Sequence, residues 1–500
     1  MPFLGTTGGG SLKQFGGQAN LGYFIKNSLR TRSSASAYLN RTSGTPTSGS
    51  IFTHSFWVKR GTLGVNQSLI AGARPTNFDR IYFETGDTLF YQWNDGASNL
   101  AYVQTTQVFR DPSAWYHIVA TTDTTQATAS NRVKIYINGV QVTALTETTY
   151  PTQNSTSYFN TNAVTLNIGR STNASMYFDG YMGEINFIDG QALTPSSFGK
   201  TDAVTGQWIP KKFAGTYGTN GFYLKFADAS AATAAAIGKD SSPNGNNWTP
   251  NNISVTAGST YDAMIDSPSL SGAASNYCTL NPLAKGAQFT VVDGNLSTGT
   301  VNVGNYHQSI GSTLGVNSGS WYWEVTIPTG MTTWNSRSIG IALGQGLSSP
   351  TTDNAMWDSP NVSALRDYRA ILFLTSTTVR PCSSIAGSVQ SNGTTITLPS
   401  TAAADGVFMV ALNITAGAIW FGLNGTWLKS ATTAEIVAGT TSNAVFSNLN
   451  SSTTTDYWFA AFYNYLGASS GYGWAPNFGQ RPFSYTPPSG YKSLNTFNLP

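Results

Sequence analysis

Charge is what this 500-residue chain has least of: 10% of its residues are Asp, Glu, Lys or Arg, against about 25% in an average globular protein. The net charge is only +3, too small an excess to argue for nucleic acid as a partner. Two cysteines, Cys278 and Cys382, cannot build a disulfide framework or the usual four-ligand metal-thiolate cluster; both read as buried thiols. Three histidines, His54, His117 and His307, leave no zinc spacing and few candidates for a general base. No apolar run approaches the roughly eighteen residues of a membrane span, so membrane insertion is not expected. The opening, residues 1–10, lacks the apolar centre of a secretion signal. No acid precedes Asp79, whereas Lys13, Lys26, Arg30, Arg32, Arg41, Lys59, Arg60 and Arg74 do. The start of the chain is therefore basic, either as solvated loops or as a contact for an acidic partner surface.

What is abundant points to strands. Hydrophobic residues make up 40% and aromatics 13%, enough for more than one core, and the length suggests about two to four domains. Thr and Asn are poor helix formers, while Val, Tyr, Thr and Trp suit pleated surfaces. The expected fold class is all-β, with outer strand faces dressed in hydroxyls and amides. Tyr322, Glu324 and Thr326 alternate with Trp323, Val325 and Ile327, the period of a half-buried strand. Asn138-Gly139 and Asn424-Gly425 supply the positive φ angles that two-residue hairpins need. Residues 229–237, rich in Ala, read as a short helix or a turn.

Ordered motifs then carry a resemblance. Ser55-Phe-Trp-Val-Lys59, Trp115-Tyr-His-Ile-Val-Ala-Thr-Thr-Asp123, Val133-Lys-Ile-Tyr-Ile-Asn-Gly-Val-Gln-Val142 and Tyr177-Phe-Asp-Gly-Tyr-Met-Gly-Glu-Ile-Asn-Phe-Ile-Asp189 resemble the LamG family of concanavalin A-like sandwiches. Gly319-Ser-Trp-Tyr-Trp-Glu-Val-Thr-Ile327, followed by Ala418-Ile-Trp-Phe-Gly-Leu-Asn-Gly-Thr-Trp427, resembles the SPRY domain. Residues 190–252 and 477–491 are similar to stretches of tailed-phage virion proteins. These resemblances imply two antiparallel sandwiches in tandem: a Gly-rich N-terminal arm (1–27), a LamG-like sandwich (28–250), a linker on a domain surface (251–276), a SPRY-like sandwich (277–490) and a C-terminal tail (491–500). They also imply a virion structural protein, a tail fibre or adhesin recognising a host surface glycan, with capsid decoration or head fibre as the alternative and a polysaccharide-degrading spike as a third reading.

No enzyme is expected. A glycosidase on such a sandwich needs two carboxylates flanking one bond, about 5 to 5.5 Å apart for retention. Glu184 and Asp189, five apart, fall on opposite faces of a regular strand, and Glu324 stands alone. His54 and His117 sit beside Trp57 and Trp115 as hydrogen-bonded sandwich residues. No cofactor is expected; calcium is the one ion to consider, at the loop 240–247, yet that loop holds the single carboxylate Asp240, better suited to an Asx turn. Glycan binding is assigned to Trp334 with Asn335 and Trp357 with Asp358, rings beside polar groups in polar loops. Packing against a neighbouring loop or subunit is the competing role for both tryptophans. Trp57, Trp115, Trp321, Trp323, Trp420 and Trp458 read as structural. Attachment to other virion proteins is assigned to Lys13, Phe15, Tyr23 and Lys26 in the arm, and a homo-oligomer, a trimer if it is a fibre, is expected.

Overall fold

The computed structural model describes residues 22–500 except 74–76, 98, 287–289, 299–305, 328, 330–336, 344–367, 386–387, 391–392, 448, 450–456 and 467–472. The chain is all-β and antiparallel: two sandwiches, each of two sheets, with a single six-residue α-helix, Thr433–Ala438, among the described residues. No helix among them is long and apolar enough to cross a membrane.

The first sandwich opposes two eight-stranded sheets. One runs in the order Val140–Gln141, Val133–Ile137, Trp115–Asp123, Ile51–Arg60, Gly180–Asp189, Ser28–Thr31, Ala263–Met264, with Phe222–Leu224 also paired to Gly180–Asp189. The other runs Leu145–Thr149, Asn99–Val108, Thr88–Asn94, Phe78–Phe83, Gln67–Ala73, Thr165–Ile168, Tyr38–Thr42, Thr249–Asn251. Alternate side chains of both sheets, among them Phe56, Phe83, Trp93, Ile118 and Phe187, fill one core, as the two-residue strand period requires. Asn138 and Gly139, both at positive φ, close the hairpin between Val133–Ile137 and Val140–Gln141. Asn424 and Gly425 do the same in the second sandwich. Residues 229–237 form bends and turns, the second of their two readings.

In the second sandwich, a sheet ordered Leu280–Lys285, Tyr306–Val316, Trp458–Leu466, Arg337–Leu343, Tyr368–Phe373, Thr378–Ile385, Ser388–Gln390 faces a five-stranded sheet centred on Val407–Asn413 and Ser320–Thr326. The strand Ser320–Thr326 is not half-buried as its alternation suggested; both faces are covered. Its second face lies under the C-terminal region, where the Phe483 ring meets Tyr322 edge-on and the Ser484 and Tyr485 amides donate to the Glu324 carboxylate at 2.8 Å. Residues 491–500 add to this cover: the Tyr322 amide donates to the Lys492 carbonyl, and Leu494 is buried.

The joint between the sandwiches is itself a core. Ile25, Trp57, Trp115, Tyr181 and Met264 belong to the same apolar cluster as Trp321, Trp323 and Phe408. Residues 251–276 thread this joint, contribute Ala263–Met264 to the first sheet, and bring two buried carboxylates. Asp262 takes Arg30 Nε at 3.0 Å and Arg32 Nε at 2.9 Å; Asp266 takes Lys59 Nζ at 2.9 Å and Trp115 Nε1 at 3.0 Å. The early cations of the basic start are thus answered, in part, by acids more than two hundred residues downstream. Cys278 and Cys382 are free and buried.

Candidate functional site

Directly paired residues share a face of a sheet, so the register of the first sandwich's second sheet can be read straight across it. One row crosses all eight strands: Thr249, Asn40, Asn167, Ala71, Arg80, Gln92, Tyr102 and Thr149. On neighbouring rows of the same face stand Phe78 with Asn94, and Tyr82 with Phe90, Gln104 and Glu147. The alternate residues, such as Ile81, Phe83, Leu89 and Trp93, point into the core. The outward face of this sheet is therefore built of amides, hydroxyls and rings around one guanidinium.

Arg80 lies at the centre. Its guanidinium stands 4.3 Å from the Tyr82 ring centroid and 4.6 Å from that of Phe78. Arg80 Nε donates to Gln92 Oε1 at 2.7 Å, and one terminal nitrogen donates to Met176 Sδ at 3.0 Å. Tyr82 stacks on Phe90, which meets Tyr102. Burial pulls the Arg80 pKa below its ordinary value and pushes the Tyr82 and Tyr102 phenols up. Further along the face Arg170 covers the Tyr38 ring at 3.6 Å and donates from Nε to Asn167 Oδ1 at 3.3 Å. Phe78, Arg80, Tyr102, Tyr38, Tyr177 and Asn40 are partly exposed and Thr249 and Thr149 exposed, whereas Ala71, Tyr82, Phe90, Gln92 and Asn167 are buried beneath them.

The buried carboxylates among the described residues are committed to structure. Among the described residues nine Asp and Glu side chains are buried, namely Asp79, Asp87, Asp179, Glu184, Asp189, Asp240, Asp262, Asp266 and Glu324. Each accepts at least two hydrogen bonds from the protein. Glu184 and Asp189 are engaged separately: Glu184 by Tyr23 and Tyr223, Asp189 by the Thr47, Ser48 and Asn220 amides and by Asn160. Asp240 accepts from the Tyr223, Ser242 and Asn246 amides and from Ser242 Oγ, an Asx-type knot that spends its oxygens on its own loop. Glu84, at the edge of the outer face, is held by Thr85 and the Gly86 amide, which draw its pKa below the usual carboxylate range. A general acid needs the opposite shift, which burial gives Glu184 and Asp79, at about 7, and Asp179, at about 6, within the fold.

Of the residues singled out from sequence, Trp334, Asn335, Trp357, Asp358, Lys13 and Phe15 lie outside the described residues. Tyr23 reaches the first sandwich, donating to Glu184 Oε2 at 2.9 Å and meeting the Tyr223 hydroxyl, while Lys26 is exposed. Between them Ile25 is buried in the joint, its amide donating to Ser269 Oγ. His117 is stacked between Trp57 and Trp208, accepts from Trp208 Nε1 at Nδ1 and pairs through Nε2 with Ser55. His54 sits among Phe52, Phe159 and Phe187, and its Nδ1 has no partner among the described residues. Burial drives both imidazoles down to about 3, so they are neutral rings of the core. The outward row was missed because its residues are scattered over 210 positions; the signal available locally was the second phase of alternation in Phe78, Arg80, Tyr82 and in Phe90, Gln92, Asn94.

With this geometry established, the likenesses of the chain can be stated. The Laminin_G_3 family model, described as the concanavalin A-like lectin/glucanases superfamily, matches residues 33–197. No curated protein matches the chain. Among solved structures, mouse laminin α1 chain domains LG4-5 are similar at 9% identity, with 93% of this chain and 96% of that one covered and a TM-score of 0.28. The SPRY domain of human HERC1 is similar at 15% identity over 39% of this chain and 96% of that one, TM-score 0.26. A putative carbohydrate-binding protein from Bacteroides ovatus is similar at 15% identity over 46% and 59%, TM-score 0.31.

Proposed function

We propose that this chain is a non-catalytic structural protein of a tailed-phage virion, a tail fibre or adhesin that holds a host surface glycan on the outward face of the first sandwich. The observation that carries the glycan assignment is the unbroken row from Thr249 to Thr149, with Asn40, Asn167, Arg80, Gln92 and Tyr102 between them. The C–H faces of a pyranose stack on rings while its hydroxyls bond amides and hydroxyls beside them. Every member of the row but Thr249 falls within the span matched to the lectin and glucanase superfamily. The absence of catalysis is supported by the nine buried carboxylates, each tied into the fold. The virion assignment rests on the similarity of residues 190–252 and 477–491 to tailed-phage proteins. In this reading Lys13 and Phe15 act with the arm toward other virion proteins, and Trp334, Asn335, Trp357 and Asp358 form a second glycan contact on a homo-oligomer, a trimer if it is a fibre.

Binding to immobilised host polysaccharide tests the glycan assignment. Tyr102→Ala and Phe78→Ala are expected to lose binding while keeping the melting temperature near that of the parent; retained binding in both refutes it. New reducing ends after incubation with the polysaccharide would instead make the protein a spike. Electron micrographs of particles labelled for this protein decide between tail fibre and the alternative, capsid decoration or head fibre.

A further inference from the structure

The glycan face contains a cation that its surroundings leave unanswered. Arg30, Arg32, Lys59, Arg60 and Arg110 all stand within 4 Å of an Asp carboxylate. Arg80 and Arg170 do not: the groups around Arg80 are Gln92, Met176, Tyr82 and Phe78, and those around Arg170 are Asn167 and Tyr38, all neutral. No ion pair to either is present among the described residues. A guanidinium taken half out of water and given only neutral partners is held at a cost that a neutral sugar does nothing to offset. Its planar fork places Nε on Gln92 and one terminal nitrogen on Met176, and a carboxylate, displacing the weak thioether acceptor, would meet the terminal N–H groups with two coplanar oxygens.

Building on the glycan assignment above, we propose that the polysaccharide is acidic, a uronic acid polymer whose carboxylate seats on Arg80 with a second uronate drawn to Arg170. The partly exposed polar residues of the row, Asn40 and Tyr102, then take ring hydroxyls on either side. Glu147, on the adjacent row and exposed, sets the limit of the anionic track by repelling a carboxylate placed there. A sulfated chain offers a tetrahedral group in place of a planar one and is expected to bind less tightly.

The test compares the full-length protein on polygalacturonate, on the same polymer methyl-esterified, on dextran sulfate and on neutral dextran. Polygalacturonate is expected to bind best, and esterification, which removes the charge and keeps the backbone, to weaken it about tenfold. Arg80→Gln should abolish the preference for the acid form, so that acid and ester bind alike; Arg80→Lys should restore part of the preference, as a point charge without the fork. Equal binding of acid and ester by the parent, or an undiminished preference in Arg80→Gln, overturns the inference while the glycan face stands. Preference for dextran sulfate overturns the uronate assignment. Failure to bind any of the four overturns this inference, and Tyr102→Ala on whole host polysaccharide then shows whether the glycan face falls with it.

Discussion

Glu184 offers a quantitative test of how the chain is held together. It sits in a bulge of Gly180–Asp189, where the register with Ile51–Arg60 shifts, at a φ of 51° that few non-glycine residues adopt. Two phenols, Tyr23 from the arm and Tyr223 from the neighbouring strand, donate to its carboxylate. Tyr217 lies close by and Lys225 and Lys212 face the site more distantly. Burial outweighs the hydrogen bonds and the lysines and pushes Glu184 from 4.5 up to about 7. The folded value lies above the unfolded one, so the folded state binds the extra proton between those two pH values. Stability from this group is complete below about pH 4.5, declines as pH rises and is lost by about pH 7, a fall of about 3 kcal/mol. Asp79, raised to about 7, and Asp179, raised to about 6, slope the same way, while His54 and His117, lowered to about 3, slope the opposite way up to about pH 6.5, so the Glu184 contribution is read from the difference between parent and variant. Carboxylates with lowered values, such as Asp87, change charge below about pH 4 and add no slope in this window. Glu184→Gln cannot ionise. Between pH 5 and pH 8 the unfolding free energy of the parent, from urea titrations, should therefore fall by about 2.5 kcal/mol relative to that of the variant. Parallel profiles across that range would refute the argument that burial governs this carboxylate.

The ion pairs of the joint give a second expectation: Lys59→Met leaves Asp266 buried and unanswered and should cost about 3–5 kcal/mol in thermal or urea unfolding, with the double change Lys59→Met, Asp266→Leu recovering much of it. Trp323→Ala empties a fully buried site beside Trp321 and Phe408 and should cost about 3–5 kcal/mol, read as a drop in melting temperature. Reductant should leave the melting temperature unchanged, since Cys278 and Cys382 are free thiols, and a native-state thiol reagent should label neither until the protein unfolds. Under the proposed virion role, removal of residues 1–21 should leave a folded protein that no longer joins a particle, whereas removal through residue 27 also strips Ile25 from the joint and should lower stability as well; incorporation assays and melting curves separate the two.

Much of the fold was legible because it is written in local chemistry. The two Asn-Gly hairpins follow from the backbone tolerance of those residues, and positive φ at Asn138, Gly139, Asn424 and Gly425 is what the turns required. The strands of the first sandwich announce themselves by β-branched and aromatic runs, and the four ordered motifs place its centre within the matched span 33–197. Where local reading stopped short, the reason was cover supplied from far away. Ser320–Thr326 alternates like a strand with one wet face, yet residues 483–485 close that face and Glu324 becomes a buried acceptor. Tyr23 was assigned to the attachment arm, yet its partners are Glu184 and Tyr223 of the first sandwich, some 161 and 200 residues on.

By itself, then, the order of residues determined the class of structure, the turns, the buried thiols and the scarcity of paired acids, because period, backbone freedom and composition act over a few neighbours. Which acid answers which cation, and which residues share a surface, was decided only in three dimensions. Arg30 and Arg32 find Asp262 across some 230 residues, and the row through Arg80 exists only once eight strands, drawn from residues 38 to 251, settle into a single register. Register fixes which side chains stand abreast, and it is set by burying the opposite face of every strand at once.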